Sequence, residues 1–476
     1  MSFIWYDLGL LAFFVIFVSV FLYLRRKNIQ KEGLLLLYKT PWGIKLINKI
    51  GKKYKKTMKA ISWLSIISGY LLMAGMVYLV YTIIKIYLFN QEIVRAIKVP
   101  PIMPLIPYID KIVPGLPSFY FFYWIVIIII IAIPHEFAHG IIAAYNKVKI
   151  KTTGFGFFPS FLPVFLAAFV ELDEKAMSKK KKFGQMATLS AGTFANVVVA
   201  ITLLGLLWII FPLIFSPSGV NFDGYQFAVL NASSILTIDG KQIPSMNYSI
   251  MLENAKETGL TEITTSKGTY VFTKELITLE GYSEAINQGY AVVYEKSPAI
   301  TAGLEGTITA VNGVKIRSME SLEKEMMAYN PGDKIIISTI LNESKKDYEI
   351  ILKENPENKT EPWLGITVGE IQQKPTAELF SKLTGFKGTH VEYVPKLGEF
   401  SNFIYNLFWW ATIICFSVAL VNMLPVGLFD GGRFFYLTIL AITKSEKAAK
   451  RTFSCLTYLF LFLIALLMVL WVGSFL

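Results

Sequence analysis

Apolar residues in this chain gather into long runs rather than the spaced patterns of a soluble core. Residues 3–24, 60–89, 119–145, 186–215, 403–429 and 453–474 are almost wholly apolar. About 20 such residues in a helix, at about 1.5 Å each, cross roughly 30 Å of hydrocarbon. The pattern predicts six transmembrane helices in a polytopic α-helical membrane protein. The first is expected to remain as an anchor, because Asp7 lies at its start and its basic cluster follows it, the reverse of a cleavable leader. A further apolar stretch, 155–172, is flanked by Lys147, Lys149 and Lys151 before it and by Lys179 to Lys182 after it. A crossing there would put one lysine cluster on the wrong side. With Pro159, Pro163, Gly154 and Gly156 breaking any straight helix, it reads as a re-entrant membrane hairpin, tolerated only beside protein or a wet cavity.

Between the fourth and fifth runs the pattern changes to short strand-like segments. Ile238-Asp239-Gly240, Ile243 and Met246 recur 73 positions later as Val311-Asn312-Gly313, Ile316 and Met319. In each copy a strand enters an Asp-Gly or Asn-Gly turn, then come a helical stretch and a second strand-like run. The expected layout is spans 1 and 2 with a basic loop in 1–118, spans 3 and 4 with the hairpin in 119–215, and a tandem α+β insert in 216–365. A return linker in 366–402 and spans 5 and 6 in 403–476 complete it.

Charge then assigns sides. The 476 residues are 54% hydrophobic and 17% charged, with a net charge of +12, a balance that excludes a disordered chain. Segments 25–59, 147–185 and 431–452 hold 12, 8 and 5 of the 46 Lys and Arg residues, while 216–400 holds 17 basic and 24 acidic residues. The positive-inside rule turns the first three toward the cytoplasm and the insert outward. The basic excess thus reports topology, and nucleic acid is not an expected partner, because no basic patch is interleaved with aromatics on a soluble face. Cys415 and Cys455 both fall in apolar runs and form no disulfide or zinc-finger spacing.

Two of the three histidines lie four apart in His135-Glu136-Phe137-Ala138-His139. On a helix they share a face, so both imidazoles can bind one metal ion while Glu136 deprotonates a water. Such groups in a membrane segment are costly and point to function. A catalytic zinc usually takes three protein ligands. Asp430, closing the fifth run in Asn422-Met423-Leu424-Pro425-Val426-Gly427-Leu428-Phe429-Asp430-Gly431-Gly432, reaches the same depth as the histidines. Pro425, Gly427 and the Gly431-Gly432 pair are expected to break the helix and let Asp430 turn inward. His390 lies in the outward insert and is set aside. Asn196, in Ala191-Gly192-Thr193-Phe194-Ala195-Asn196, is either packing glue or an active-site amide; Asn422 has the same two readings.

HEFAH in one span, an Asn-x-x-Pro…Asp-Gly motif in a later one, and Ala-Gly-x-x-x-Asn between them resemble the site-2 proteases, zinc intramembrane metalloproteases. The insert resembles tandem PDZ domains. The resemblance implies one Zn2+ on His135, His139 and Asp430, Glu136 as catalytic acid and base, and Asn196 and Asn422 as further candidates. It also implies single-span membrane proteins as substrates, cut within the bilayer, often after trimming by another protease. Thr193 and Phe429 depart from the residues common at those positions. In the second PDZ-like copy, Gly289-Tyr290-Ala291-Val292 is the candidate loop for a peptide carboxylate; the insert would then sense peptide termini or filter by size, and otherwise it is a passive spacer. A prokaryotic cell membrane is the expected location. The alternative from another class is a catalytically silent membrane adaptor that binds partners through the insert.

Overall fold

A computed structural model describes residues 3–473 except 34, 91–93, 96–99, 102, 104, 114–115, 159–164, 244–245, 280, 343 and 369–384. Among the described residues, six helices are long and apolar enough to cross a membrane. They are α1 (Phe3–Leu24), α3 (Lys55–Phe89), α4 (Phe121–Tyr145), α5 (Lys182–Ile214), α6 (Glu399–Asn422) and α8 (Glu446–Gly473). The shorter helices between them include α2 (Ile44–Lys53) and α7 (Asp430–Thr443). The chain divides into two compact units, Met1–Ile210 with Asn402–Leu476, and Phe211–Ser401.

In the helical unit, Phe119, Phe121, Tyr123, Trp124 and Ile127 pack with Ala200 and Leu203 of α5 and with Trp410, Ala411, Ile414 and Cys415 of α6. Lipid tails are as apolar as these side chains, so close fit rather than expulsion from water holds such a cluster. The N-terminal end of α4 is fixed in another way. Asp7, a buried carboxylate on α1, accepts hydrogen bonds from the backbone N–H groups of Phe121 (2.7 Å) and Phe122 (2.9 Å) and from the Tyr108 hydroxyl (2.8 Å). The first turn of a helix has N–H groups with no partner inside the helix. Here a separate span supplies the cap.

The hairpin expected at 155–172 is present as strands β3 (Ile150–Phe158) and β4 (Phe165–Leu172); its tip, with Pro159 and Pro163, lies outside the described residues. It is not isolated. The basic loop 25–59 contributes β1 (Ile29–Glu32) and β2 (Leu35–Thr40), giving an antiparallel sheet in the order β1-β2-β3-β4. Glu171 of β4 accepts from Lys39 of β2 and Thr152 of β3, both at 2.9 Å. Those bonds hold its carboxyl below the usual carboxylate range. The same loop forms α2, whose Gly51 packs so closely on α4 that a Cβ there would lie 2.6 Å from the Ile141 carbonyl oxygen.

The fifth run does not continue as a helix to 429. α6 ends at Asn422, residues 423–429 form an irregular segment, and Asp430 opens α7. The Gly431-Gly432 pair does not break a helix but starts one. A Cβ on Gly431 would lie 2.3 Å from the Met423 carbonyl carbon, and one on Gly432 2.2 Å from the Val426 oxygen. Only glycine lets the first turn of α7 lie against that segment.

The second unit holds two lobes, each on an antiparallel sheet. The repeat is real in backbone terms. Asp239 (φ 45°) with Gly240 (φ 78°), and Asn312 (φ 46°) with Gly313 (φ 81°), make equivalent left-handed turns, which Asp or Asn followed by Gly tolerates. Each is followed by a helix, Tyr248–Asn254 or Met319–Met326, and a hairpin. The expected linker 366–402 is partly structural. Val391–Pro395 pairs with Phe215–Val220, and Ile366–Thr367 with Gly224–Tyr225, so the returning chain closes the unit as sheet. Tyr290–Glu295 also departs from expectation. It is an interior strand of the first lobe, between Phe227–Asn231 and Gly268–Phe272, rather than a loop of the second copy.

Replacing Asp7 by Ala leaves two buried N–H groups of α4 without acceptors, at about 1–3 kcal/mol each. A clear fall in melting temperature in detergent is the expected outcome, with Asp7→Asn intermediate because one acceptor oxygen survives. Unchanged melting of Asp7→Ala would contradict the capping role.

Candidate metal centre

The site is built from the C-terminal half of α4. Pro134 lacks an N–H and so removes one i→i−4 bond from the turn just before His135. His135 and His139, one turn apart on the same face, are both buried. Their Nε2 atoms lie 3.0 Å apart, and Asp430 Oδ2 lies 3.6 Å from His135 Nε2 and 3.2 Å from His139 Nε2. Among the described residues this is the group of histidine and carboxylate donors that can hold a metal ion.

Several observations test whether a zinc ion fits. Ligands about 2.0–2.1 Å from a tetrahedral zinc lie roughly 3.3 Å from one another, and the observed separations of 3.0, 3.2 and 3.6 Å bracket that edge. His139 Nδ1 lies 2.6 Å from the Thr188 carbonyl oxygen; a carbonyl only accepts, so Nδ1 carries the proton and Nε2 keeps its lone pair for a metal. His135 Nδ1 faces the Asn196 amide at 3.1 Å, and Asn196 Oδ1 is buried without a partner. Amide oxygen and nitrogen exchange by a simple turn of the side chain. With Oδ1 toward Nδ1–H, His135 too has Nε2 free for the ion. Finally, a Cβ on Gly192 would lie 2.3 Å from His139 Nε2 and 2.7 Å from His135 Nε2. The cradle exists because that position of α5 has no side chain. The residues present fit zinc.

Glu136 Oε2 accepts from the Val170 backbone N–H of the sheet at 2.8 Å. β4 is the edge of its sheet, so this N–H is directed off the ladder. The space enclosed by Glu136, Phe137, Thr153, Phe155 and Val170 is only about 20 Å³, enough for about one water.

The remaining candidates divide. Asn196 is fully buried, with its side-chain amide against the His135 ring. Asn422 ends α6 half-buried, with no side-chain hydrogen bond among the described residues. Gly289, Tyr290, Ala291 and Val292 belong to the insert's first lobe, and His390 of the insert faces Asp223 at 3.6 Å. The sequence reading missed Thr188, Gly192 and Val170. Gly192 stands within the quoted Ala-Gly-x-x-x-Asn segment and could have been found there; Thr188 and Val170 act through backbone atoms, which side-chain identity does not reveal.

A sequence model of Peptidase family M50 matches residues 123–467. No individual curated protein matches the chain.

Gly192→Ala is expected to abolish metal binding, measured as zinc per chain after purification, while Gly205→Ala on the same helix, where a Cβ meets nothing within 4 Å, is neutral. Asn196→Ala should weaken zinc affinity about 10–100-fold. Full zinc content in Gly192→Ala would contradict the cradle.

Proposed function

The chain belongs to peptidase family M50, the site-2 proteases, whose members are intramembrane zinc metalloproteases, and from that premise we propose that it hydrolyses peptide bonds within transmembrane segments of single-span membrane proteins. The observation that carries this reading is the convergence of His135, His139 and Asp430, from two segments almost 300 residues apart, within 3.6 Å of one another. A zinc ion held by these three residues supplies a Lewis acid that polarises the scissile carbonyl and brings the pKa of a water toward about 7.

The other steps fall to the chain itself. Glu136 takes the proton of the attacking water and hands it to the leaving amine. Asn196 and the Thr188 carbonyl keep the imidazoles in the required orientation and tautomer. The apolar side chains around α4 exclude bulk water, which strengthens every charge interaction at the site. A helical substrate must unwind first, because its carbonyls are tied up in its own hydrogen bonds. The edge of β4 offers the unwound segment strand pairing, and such pairing at Val170 competes for the N–H that now holds Glu136. With about 20 Å³ free there, β4 must move from α4 before a peptide enters. The hairpin is then the gate as well as the docking edge, re-entrant in the bilayer.

The two lobes of the insert are read as PDZ-like on the strength of their repeat. Capture of peptide termini or size filtering is assigned to them as a role upstream of cleavage. No observation favours the silent adaptor.

Glu136→Gln keeps the shape of the side chain and removes the base. With folding and zinc content unaltered, cleavage of a single-span reporter in vesicles should fall by about 10²–10⁴-fold. Undiminished cleavage would rule the mechanism out.

A further inference from the structure

A second site lies at the opposite face of the turn that follows the histidines. A cleft of about 1120 Å³ opens between α2 and the end of α4, and Lys52, Lys55, Lys147 and Lys149 line it with Asn48 and Asn146. No carboxylate is among its lining residues, and none of the four lysines has an ion pair among the described residues. α2 is amphipathic. Ile47 is fully buried against α4, while Lys45, Lys49, Lys52 and Lys53 occupy the other side of the helix. The close contact of Gly51 with Ile141 fixes the backbone of α2 against α4, so the lysines of both segments are anchored around one cleft. The positive-inside rule accounts for lysines on this side of the bilayer. It does not require them to converge on one rigid cleft, where their mutual repulsion is unrelieved.

The geometry points to an anionic phospholipid headgroup as the occupant of this cleft, its phosphate met by Lys52, Lys55, Lys147 and Lys149. The shared chemistry is a phosphate, which a lipid or the cytosol could supply, and the surroundings favour the lipid. Trp42, Leu46 and Tyr54 flank α2 with relative exposures of 57%, 51% and 49%. Exposed apolar and aromatic side chains beside lysines mark a helix lying in the interface, not one facing water. The cleft also sits where α3 begins and α4 ends, at the level of the headgroups. Basic pockets between spans on this side of a membrane suit such lipids.

The test uses the full chain in phosphatidylcholine nanodiscs doped with phosphatidylglycerol, with retained lipid counted by native mass spectrometry. Wild type should retain phosphatidylglycerol selectively. K52Q/K147Q should bind it about thirtyfold more weakly, at roughly fivefold per lysine, and K52R/K147R should restore it. K447Q/K450Q, which removes the same charge from the start of α8, should bind as wild type. Equal loss in K447Q/K450Q, or undiminished retention in K52Q/K147Q, overturns the proposal. Displacement of the lipid by millimolar inorganic phosphate also overturns it, in favour of a site for free phosphate. If K52Q/K147Q melts abnormally, K55Q/K149Q carries the same comparison. Lipid counting is independent of zinc and of cleavage, so it stands or falls apart from the protease assignment.

Discussion

His135, His139 and Asp430 put three polar groups within 3.6 Å of one another in a bundle whose core cluster is made of Ile, Leu, Met, Phe and Ala side chains. In a bilayer an ionisable side chain costs about 2.5–3.5 kcal/mol on insertion scales, so such a cluster persists only if its surroundings answer it. They do so atom by atom. Thr188 and Asn196 bind the far nitrogens of the two rings, Gly192 leaves the space into which their near nitrogens project, and the first turn of α7 delivers the carboxylate. Much of the packing around the site follows from that demand. α5 must approach α4 without a side chain at 192, and the segment after Asn422 must pass beneath two glycines for Asp430 to arrive.

The sheet answers a different need. Glu136 is adjacent to a metal ligand yet is held by Val170 rather than by the other polar groups. This keeps the carboxyl out of the donor set of His135, His139 and Asp430. The sheet can do this because β2 and β4 are clipped together across β3 by Glu171, Lys39 and Thr152. The position of the Glu136 carboxyl thus depends on strands from two distant parts of the chain.

The large features were legible because each rests on a single strong signal. Six runs of about 20 apolar residues have few other uses, and an Asn-Gly or Asp-Gly turn between strands is set by left-handed backbone. The histidine pair and Asp430 were legible from spacing and depth. What was missed depends on pairing between distant segments. β1, β2 and α2 are short and lysine-rich, so their charge suggested a plain loop, and their order comes from β3 and α4. Tyr290–Glu295 fits either lobe by sequence; its partner strand at Phe227–Asn231 decides. The glycine pair at 431–432 signalled a break because glycine is a poor helix former, whereas close contact with Met423 and Val426 was its actual reason. Asn196 reads from sequence as either glue or chemistry, because its contact with His135 Nδ1 joins segments 61 residues apart.

The cap that Asp7 places on α4 has a consequence for how the protein is made. A chain enters the bilayer N-terminus first, and the partners of this carboxylate lie 101 to 115 residues downstream. Until Tyr108, Phe121 and Phe122 have been synthesised, the first span holds an acid with none of its final partners, a poor resident of hydrocarbon. It settles only when α4 is laid beside it. Completion of the N-terminal anchor and alignment of the helix that bears the histidines are therefore one event in biogenesis.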